Sequence, residues 1–235
     1  MKTLGLLGGL TYESTSLYYN LINQHVREVV SPRSSAELFM YSANQEQMLQ
    51  LAASGDWDGF ADIYVQAAHA LIAGGAQAIV ICALLAHKAA DRIEARIHVP
   101  LLHLSDFVGS EVKARGFVKV AILGTKVAME GEFVKDRILQ KHGVEVLIPD
   151  VEDRERVNTG IFNELTTGKV RPETKEMFLN VTRKLLDQGA EGLILGSTDL
   201  GFVIREEDIG VPIFDTAKIH ALGVAKWALQ EVKEK

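Results

Sequence analysis

Short, uninterrupted apolar runs alternate along this chain with longer segments in which apolar residues recur at helical spacing. The first pattern is typical of strands covered on both faces, and the second is typical of amphipathic helices. The runs that predict strands are Thr3–Leu7, Glu37–Tyr41, Ile79–Cys82, Leu101–His103, Val118–Leu123, Glu145–Ile148, Leu193–Leu195 and Ile213–Phe214. Strands that alternate with helices favour right-handed crossovers and parallel sheets. The pattern therefore predicts an α/β fold.

Apolar stripes and turn residues locate the helices. The first strand is followed by a stripe that predicts a helix, and its members are Leu17, Leu21, Ile22, Val26 and Val29. A later stripe ends at Gly74-Gly75, where glycine is favoured just past a helix end. A charged segment, Asp150–Arg156, interrupts the second half of the chain. A final helix is predicted over roughly Ala217–Val232, with a frayed tail at Glu231–Lys235.

The second half of the chain repeats the first. Gly75–Leu85 and Gly189–Asp199 each combine a helix end, a buried strand and a short turn, and they lie 114 positions apart (189 − 75). This spacing pairs Ala83 with Ser197. A repeat of this size indicates a duplicated half-domain. We therefore expect two pseudo-symmetric lobes, each a four-stranded, mostly parallel sheet flanked by helices, with the repeated strand ends facing one cleft.

The repeat also sets the expected domain limits. The first lobe is expected to span residues 1–105, and the second is expected to span residues 106–215. The C-terminal helix, within residues 216–235, is expected to pack back on the first lobe. Each lobe would then have its own hydrophobic core.

Composition and charge narrow the class of partner. The formal net charge is −6 and the basic residues are scattered, whereas a nucleic-acid-binding surface needs a clustered basic face. The longest apolar run, Ala78–Ala86, is far shorter than the roughly 20 residues that span a bilayer. One cysteine excludes an internal disulfide, and the seven histidines lack metal-ligand spacing. The sequence favours a cytoplasmic protein with a small-molecule partner, rather than a nucleic-acid or membrane partner.

Four loops are candidates for a ligand site because each follows a predicted strand. Open α/β sheets bind ligands beyond the carboxyl ends of their strands. The loops are Gly8–Thr11, Cys82–His87, Gly124–Lys126 and Gly196–Asp199. Their glycines let backbone N–H groups approach an anion, so a carboxylate would suit them. The first loop lacks the GxGxxG pattern, which disfavours a dinucleotide site and leaves a tight turn without a ligand as the alternative.

Cys82 and Ser197 are the candidate reactive side chains, because each follows a buried strand in one half of the chain. A lone buried cysteine is also commonly an inert core residue, and a serine after glycine can cap a helix. His87 is a candidate partner for a thiolate or for the substrate, with a structural role as the alternative. Thr125 and Thr198 are candidate hydroxyl donors to a carboxylate oxygen, with helix capping as the alternative.

Two of the candidate loops carry motifs of a known kind. Gly8–Thr15 reads GGLTYEST and Gly196–Asp199 reads GSTD. They resemble GGMSWEST and GCTE of the aspartate/glutamate racemase family, and the likeness runs from end to end. Other matching stretches are Leu123–Thr125, Glu152–Arg154 and Phe214–Ala217 with His220.

The resemblance implies two pseudo-symmetric lobes, a homodimer, and cofactor-independent racemisation of an acidic amino acid. In such an enzyme one residue removes the α-proton from one face, and a counterpart donates a proton from the other. The catalytic positions that match are Cys82 and Ser197. The positions expected to bind substrate are Gly8, Thr11, Ala83, Leu84, Leu85, His87, Thr125, Thr198 and Asp199.

The chain departs from the family pattern at the first catalytic site. Family members carry CNT or CxNT there, whereas Cys82–Leu85 reads CALL. Leu84 and Leu85 therefore stand where asparagine and threonine help to hold substrate. In the CxNT spacing the reacting position is Ala83, and alanine cannot move a proton. The two leucines also predict a pocket more apolar than aspartate prefers.

The second site departs as well, because Ser197 replaces the usual cysteine. A thiol has a reference pKa of about 8.5, whereas an alkyl hydroxyl lies near water's value of about 15.7. This gap corresponds to roughly 10 kcal/mol of extra ionisation free energy. Ser197 is therefore a poor base unless another group takes its proton.

Three hypotheses account for these departures. The protein is a racemase whose remaining activity uses Cys82 with Ser197, or a relative that runs a one-base reaction such as decarboxylation or isomerisation. The third hypothesis is a protein that binds an anion without turning it over. A serine introduced in place of a natural cysteine is a further alternative at Ser197.

Overall fold

The computed structural model describes residues 1–230. Its strands are β1 (Leu4–Gly8), β2 (Leu38–Ser42), β3 (Ala78–Ile81), β4 (Leu101–Leu102), β5 (Lys119–Gly124), β6 (Glu145–Leu147), β7 (Leu193–Gly196) and β8 (Ile213–Asp215). Its α-helices are α1 (Tyr12–Val29), α2 (Gln45–Ser54), α3 (Trp57–Ala73), α4 (Ala90–Glu94), α5 (Leu104–Ala114), α6 (Lys126–Glu130), α7 (Glu132–His142), α8 (Val151–Asn163), α9 (Pro172–Asp187), α10 (Glu206–Ile209) and α11 (Thr216–Leu229). Short 3-10 helices are Leu85–Ala89, Leu165–Thr167 and Thr198–Phe202.

The chain divides into two compact units. The first comprises Met1–Leu104 and the chain from His220 onward, and the second comprises Ser105–Ile219. The sheet of the first unit has the order β2-β1-β3-β4, and that of the second has the order β6-β5-β7-β8. All neighbouring strands are parallel. The predicted α/β fold, with one four-stranded sheet in each lobe, is confirmed.

The predicted strands are all present, with each end within one residue of its predicted position. Strand β2, for example, covers Leu38–Ser42 where Glu37–Tyr41 was predicted. Strands β3 and β7 are buried along their whole length, because helices cover both faces of each sheet. Such strands need apolar residues at every position, which is why their runs stand out in the sequence.

The buried face of helix α1 differs from the apolar stripe that the sequence predicts. Its buried residues are Ser14, Thr15, Tyr18, Ile22 and Val26, whereas Val29 is 60% exposed. The buried face therefore includes two hydroxyl side chains at the start of the helix. These hydroxyls bond to the strand-end loops of the same unit, so they can be buried without losing hydrogen bonds. The stripe prediction was wrong for Val29 because it followed apolar character alone.

The charged segment Asp150–Arg156 forms the start of helix α8. The carboxylate of Asp150 caps this helix and accepts a hydrogen bond from the backbone N–H of Asp153 at 2.9 Å. Asp153 is itself buried and forms ion pairs with Arg156 at 2.9 Å and Lys184 at 2.5 Å. Since Lys184 belongs to α9, this pair links the two helices.

The final predicted helix is present as α11, from Thr216 to Leu229. Its predicted continuation to Val232 and the predicted frayed tail at Glu231–Lys235 lie outside the described residues. Within residues 1–230, no helix combines the length and the apolar character that a membrane span requires.

Candidate active site

Next to the candidate loops, the two central strands of each sheet pair in a similar way. In the first unit Leu7 of β1 pairs with Ile81 of β3, and in the second unit Leu123 of β5 pairs with Leu195 of β7. The two pairs are related by offsets of 116 (123 − 7) and 114 (195 − 81). The structure thus reproduces the spacing of the sequence repeat through backbone pairing.

When Leu7 is aligned with Leu123, as in the sequence repeat, these pairings align Ile81 with Leu195. One position beyond the paired residues, Cys82 corresponds to Gly196, and two positions beyond, Ala83 corresponds to Ser197. The counterpart of Ser197 is therefore Ala83 and not the neighbouring Cys82. Because successive side chains of an extended chain point to opposite faces, a shift of one position changes what a side chain can reach.

Cys82 lies in a closed environment at the end of β3. Its side chain is only 1% exposed, and its backbone N–H donates to the carbonyl of Leu7 at 2.9 Å. The hydroxyl of Ser14 donates to the Cys82 carbonyl at 2.6 Å. Burial raises the pKa of the Cys82 thiol, because the thiolate would lose its hydration. These features favour the inert core role for Cys82, and its catalytic role stays a prediction.

His87 is held by the backbone on both sides of its ring. The ring is 1% exposed, with Nδ1 2.9 Å from the carbonyl of Ala83 and Nε2 3.1 Å from the N–H of Leu104. A carbonyl can only accept and an N–H can only donate, so Nδ1 carries the proton and Nε2 is the acceptor. Both nitrogens are therefore engaged, which favours a structural role for His87 over the predicted binding role.

The three residues before His87 are half-buried. Ala83 and Leu85 pack against the hydrophobic core of the first unit. Leu84 begins the 3-10 turn, and its carbonyl accepts the N–H of His87 at 3.0 Å. In this turn the structure offers no side-chain hydrogen-bonding group at the three positions predicted to bind substrate.

Ser197 stands at the end of β7, where the 3-10 helix Thr198–Phe202 begins. It occupies the N-cap position of this helix, yet its side chain makes no capping hydrogen bond. The Ser197 Oγ lies instead 3.4 Å from Oδ2 of Asp199. The alternative interpretation of Ser197 as a helix cap is therefore wrong for its side chain, and its hydroxyl is directed to a carboxylate.

The loop after β1 has little room for side chains. An added Cβ at Gly8 would lie 2.3 Å from the side chain of Thr15, and one at Gly9 would lie 2.1 Å from the backbone N of Ala43. The N–H of Gly9 donates to Oγ1 of Thr15 at 2.9 Å, and the Gly8 carbonyl accepts from the Tyr64 hydroxyl at 3.2 Å. These contacts favour a tight strand-to-helix turn, and the binding role of Gly8 stays a prediction.

Two of the three candidate threonines, Thr11 and Thr125, cap helices. Thr11 caps α1 by accepting the N–H of Ser14 at 3.3 Å, and Thr125 caps α6 by accepting the N–H of Ala128 at 3.4 Å. A hydroxyl that accepts an N–H still has its own proton to donate. Thr11 and Thr125 can therefore cap a helix and donate to a carboxylate at the same time. Thr198 is half-buried at the first position of its 3-10 helix.

Sequence reasoning named His220 only as a family match and missed the hydrogen bonds that it forms in the first unit. His220 is fully buried, with Nδ1 2.8 Å from the Tyr18 hydroxyl and Nε2 2.8 Å from the carbonyl of Leu102. The carbonyl requires a proton on Nε2, so Nδ1 accepts from Tyr18. A stripe drawn through Tyr18 and Ile22 would have placed Ser14 on the buried side of α1, although it could not have shown that this hydroxyl bonds to the Cys82 carbonyl. Within residues 1–230, no group of three His, Cys, Asp or Glu side chains could hold a metal ion.

The burial of Cys82 leads to a labelling prediction. We expect the native protein to react with a thiol reagent at no more than about one tenth of the rate of the unfolded chain, because the thiol is enclosed and its pKa is raised. Mass spectrometry after brief exposure to iodoacetamide measures the labelled fraction of this sole cysteine. The S197C variant is the matched control, because its half-buried second thiol should label in the native state. Rapid labelling of the native wild-type protein would contradict the enclosure of the Cys82 thiol.

Comparisons with known proteins agree with this fold. A family model described as Asp/Glu/Hydantoin racemase matches residues 7–223. A candidate Asp/Glu racemase from Yersinia pestis is 42% identical, with a TM-score of 0.94 over 98% of this chain and 100% of that chain. An aspartate racemase homologue from Pyrococcus horikoshii is 34% identical, with a TM-score of 0.84 over 97% of this chain and 99% of that chain. The two-unit α/β fold is thus that of Asp/Glu racemase-like proteins, and the chain belongs to the Asp/Glu/hydantoin racemase family.

Proposed function

We propose that this protein catalyses cofactor-independent proton transfer at the α-carbon of a small acidic amino acid or a related carboxylate. The proposal assigns the working proton-transfer group to Ser197, on one face of the substrate. The observation that carries the proposal is the repeated strand pairing, Leu7 with Ile81 and Leu123 with Leu195. When Leu7 is aligned with Leu123, as in the sequence repeat, Ala83 is the counterpart of Ser197. Because alanine has no proton to exchange, a reaction that needs a group on each face is impaired, while a reaction on one face remains possible.

Membership of the family supports the α-carbon as the reacting atom. The 42% identical protein is a candidate Asp/Glu racemase, and the 34% identical protein is an aspartate racemase homologue. The half-buried Leu84 and Leu85 favour a substrate with more apolar surface than aspartate. We also propose that the protein works as a cytoplasmic homodimer, as the resemblance implies for the dimer, and that it has no nucleic-acid partner.

Decarboxylation is the second candidate, and the chemistry of Ser197 favours it. An alkyl hydroxyl is a poor base but a competent acid toward a carbanion, since carbon acids are much weaker acids than water. In this reaction the bond between the α-carbon and a second carboxylate breaks, CO2 leaves, and the electron pair remains as an enediolate. The Ser197 hydroxyl then protonates the α-carbon, and water returns a proton to its oxygen. No second proton-transfer group is required.

Deuterium exchange in D2O tests the first candidate. A panel of amino acids that includes aspartate, glutamate and apolar residues is incubated with the protein, and α-deuterium is measured by mass spectrometry. We expect label in at least one substrate, and we expect S197A to lower its rate by about a hundredfold or more, the contribution typical of general acid–base catalysis. If no amino acid acquires label but a malonate-type substrate releases CO2, the second candidate is correct. Binding without label or CO2 would support the anion-binding hypothesis.

A further inference from the structure

The Ser197 hydroxyl is not used by the fold. Thr11 and Thr125 occupy equivalent positions before helices, and both use their hydroxyls as caps. Ser197 also precedes a helix, but its side chain makes no capping bond and lies 3.4 Å from the Asp199 carboxylate. This distance is longer than an ordinary O–H···O hydrogen bond, but such contacts in ligand-free sites commonly tighten when substrate binds.

The Asp199 carboxylate also has no other structural role among the described residues. Within residues 1–230 it forms no ion pair with a basic side chain, unlike the buried Asp153, which has two such partners. A carboxylate would repel the carboxylate of a substrate, so Asp199 is a poor anion ligand at this loop. A carboxylate interacts favourably with a hydroxyl group, because it can accept the hydroxyl proton.

We propose that Asp199 is a positioning residue that orients the Ser197 hydroxyl and takes its proton during the reaction. This inference rests on the proposed function, since it supplies the proton acceptor that Ser197 needs to act as a base. As the α-carbon approaches Oγ, the C–H bond breaks, a new O–H bond forms at Oγ, and the C–H electron pair stays on the substrate as an enediolate. The original hydroxyl proton moves to Oδ2 of Asp199, where it can exchange with solvent before it returns.

The proposal predicts a specific pattern of kinetic effects. We expect D199N to lower kcat for α-deuterium exchange by about tenfold or more, because an amide cannot take a proton in place of a carboxylate. KM should change by less than about threefold, since the residue acts through Ser197 and not on the substrate. D199E should recover part of the activity, because it keeps a carboxylate as the proton acceptor. D187N, which removes an exposed carboxylate at the end of α9, is the matched control.

A second test repeats the D199N substitution in the S197C variant, and it separates this inference from the proposed function. In the S197C background D199N should reduce kcat by a much smaller factor, because a thiol ionises without a strong acceptor. Equal factors in the serine and cysteine backgrounds would overturn the proton-acceptor role, as would a D199N effect confined to KM, which would mark a ligand for the substrate ammonium. Absence of exchange in the wild-type protein would instead defeat the first candidate function, in which Ser197 acts as a base. Circular dichroism of each variant checks that it is folded.

Discussion

Replacing both Ala83 and Ser197 by cysteine is expected to produce a protein that racemises its substrate. Under the proposed function these two positions correspond in the repeat, so the double variant places a thiol at each of them. A thiol with a pKa of about 8.5 is a far better proton carrier at neutral pH than an alkyl hydroxyl. We expect racemisation to increase about a hundredfold or more over wild type, the range of one general acid–base contribution.

Optical rotation or chiral chromatography measures the rate from each pure enantiomer. The single variants are the controls, because each supplies one thiol only. S197C should accelerate α-deuterium exchange of one enantiomer with little inversion, and A83C should invert slowly, because Ser197 stays on the opposite face. If S197C alone racemises as fast as the double variant, another group already serves the opposite face, and the assignment of Ala83 as the missing group is wrong.

The substitution G9A is expected to destabilise the protein severely, by roughly 3–5 kcal/mol in the free energy of unfolding. Gly9 has φ of +92°, a conformation that L side chains rarely adopt. An added Cβ would also lie 2.1 Å from the N and 2.3 Å from the O of Ala43, which are backbone atoms and cannot move aside separately. Urea denaturation followed by circular dichroism measures the loss.

The matched control is G55A. Gly55 has φ of +75°, but no atom lies within 4 Å of its added Cβ. This variant should lose only the conformational cost, about 1–2 kcal/mol. Equal losses for the two variants would show that the contact with Ala43 contributes nothing, and that the turn after β1 is looser than the structure indicates.

The fold could be predicted from the sequence because its strands are covered on both faces. The runs at β3 and β7 contain no polar alternation, and their repetition indicated the duplicated sheet. Helix α1 was harder, since its buried face includes Ser14 and Thr15. Their hydroxyls are satisfied by partners distant in sequence, such as the Cys82 carbonyl, and no local pattern reports such bonds.

The candidate site could be located but not interpreted in full. The spacing of the repeat paired Ala83 with Ser197, and the backbone register supports the same pairing. The enclosure of Cys82 was not predictable, because whether a residue just past a strand is open or closed depends on what packs over it. The contact between Ser197 and Asp199 had a signal in the Ser-x-Asp spacing, but the same spacing also fits a capped helix.

The central claim is that one face of the substrate has a working proton-transfer group and the other does not. The most direct test incubates the wild-type protein in D2O with each pure enantiomer of a substrate and follows both label and configuration. The account predicts that α-deuterium enters one enantiomer while its configuration is retained, and that the other enantiomer stays unlabelled. Label in both enantiomers together with inversion would contradict it.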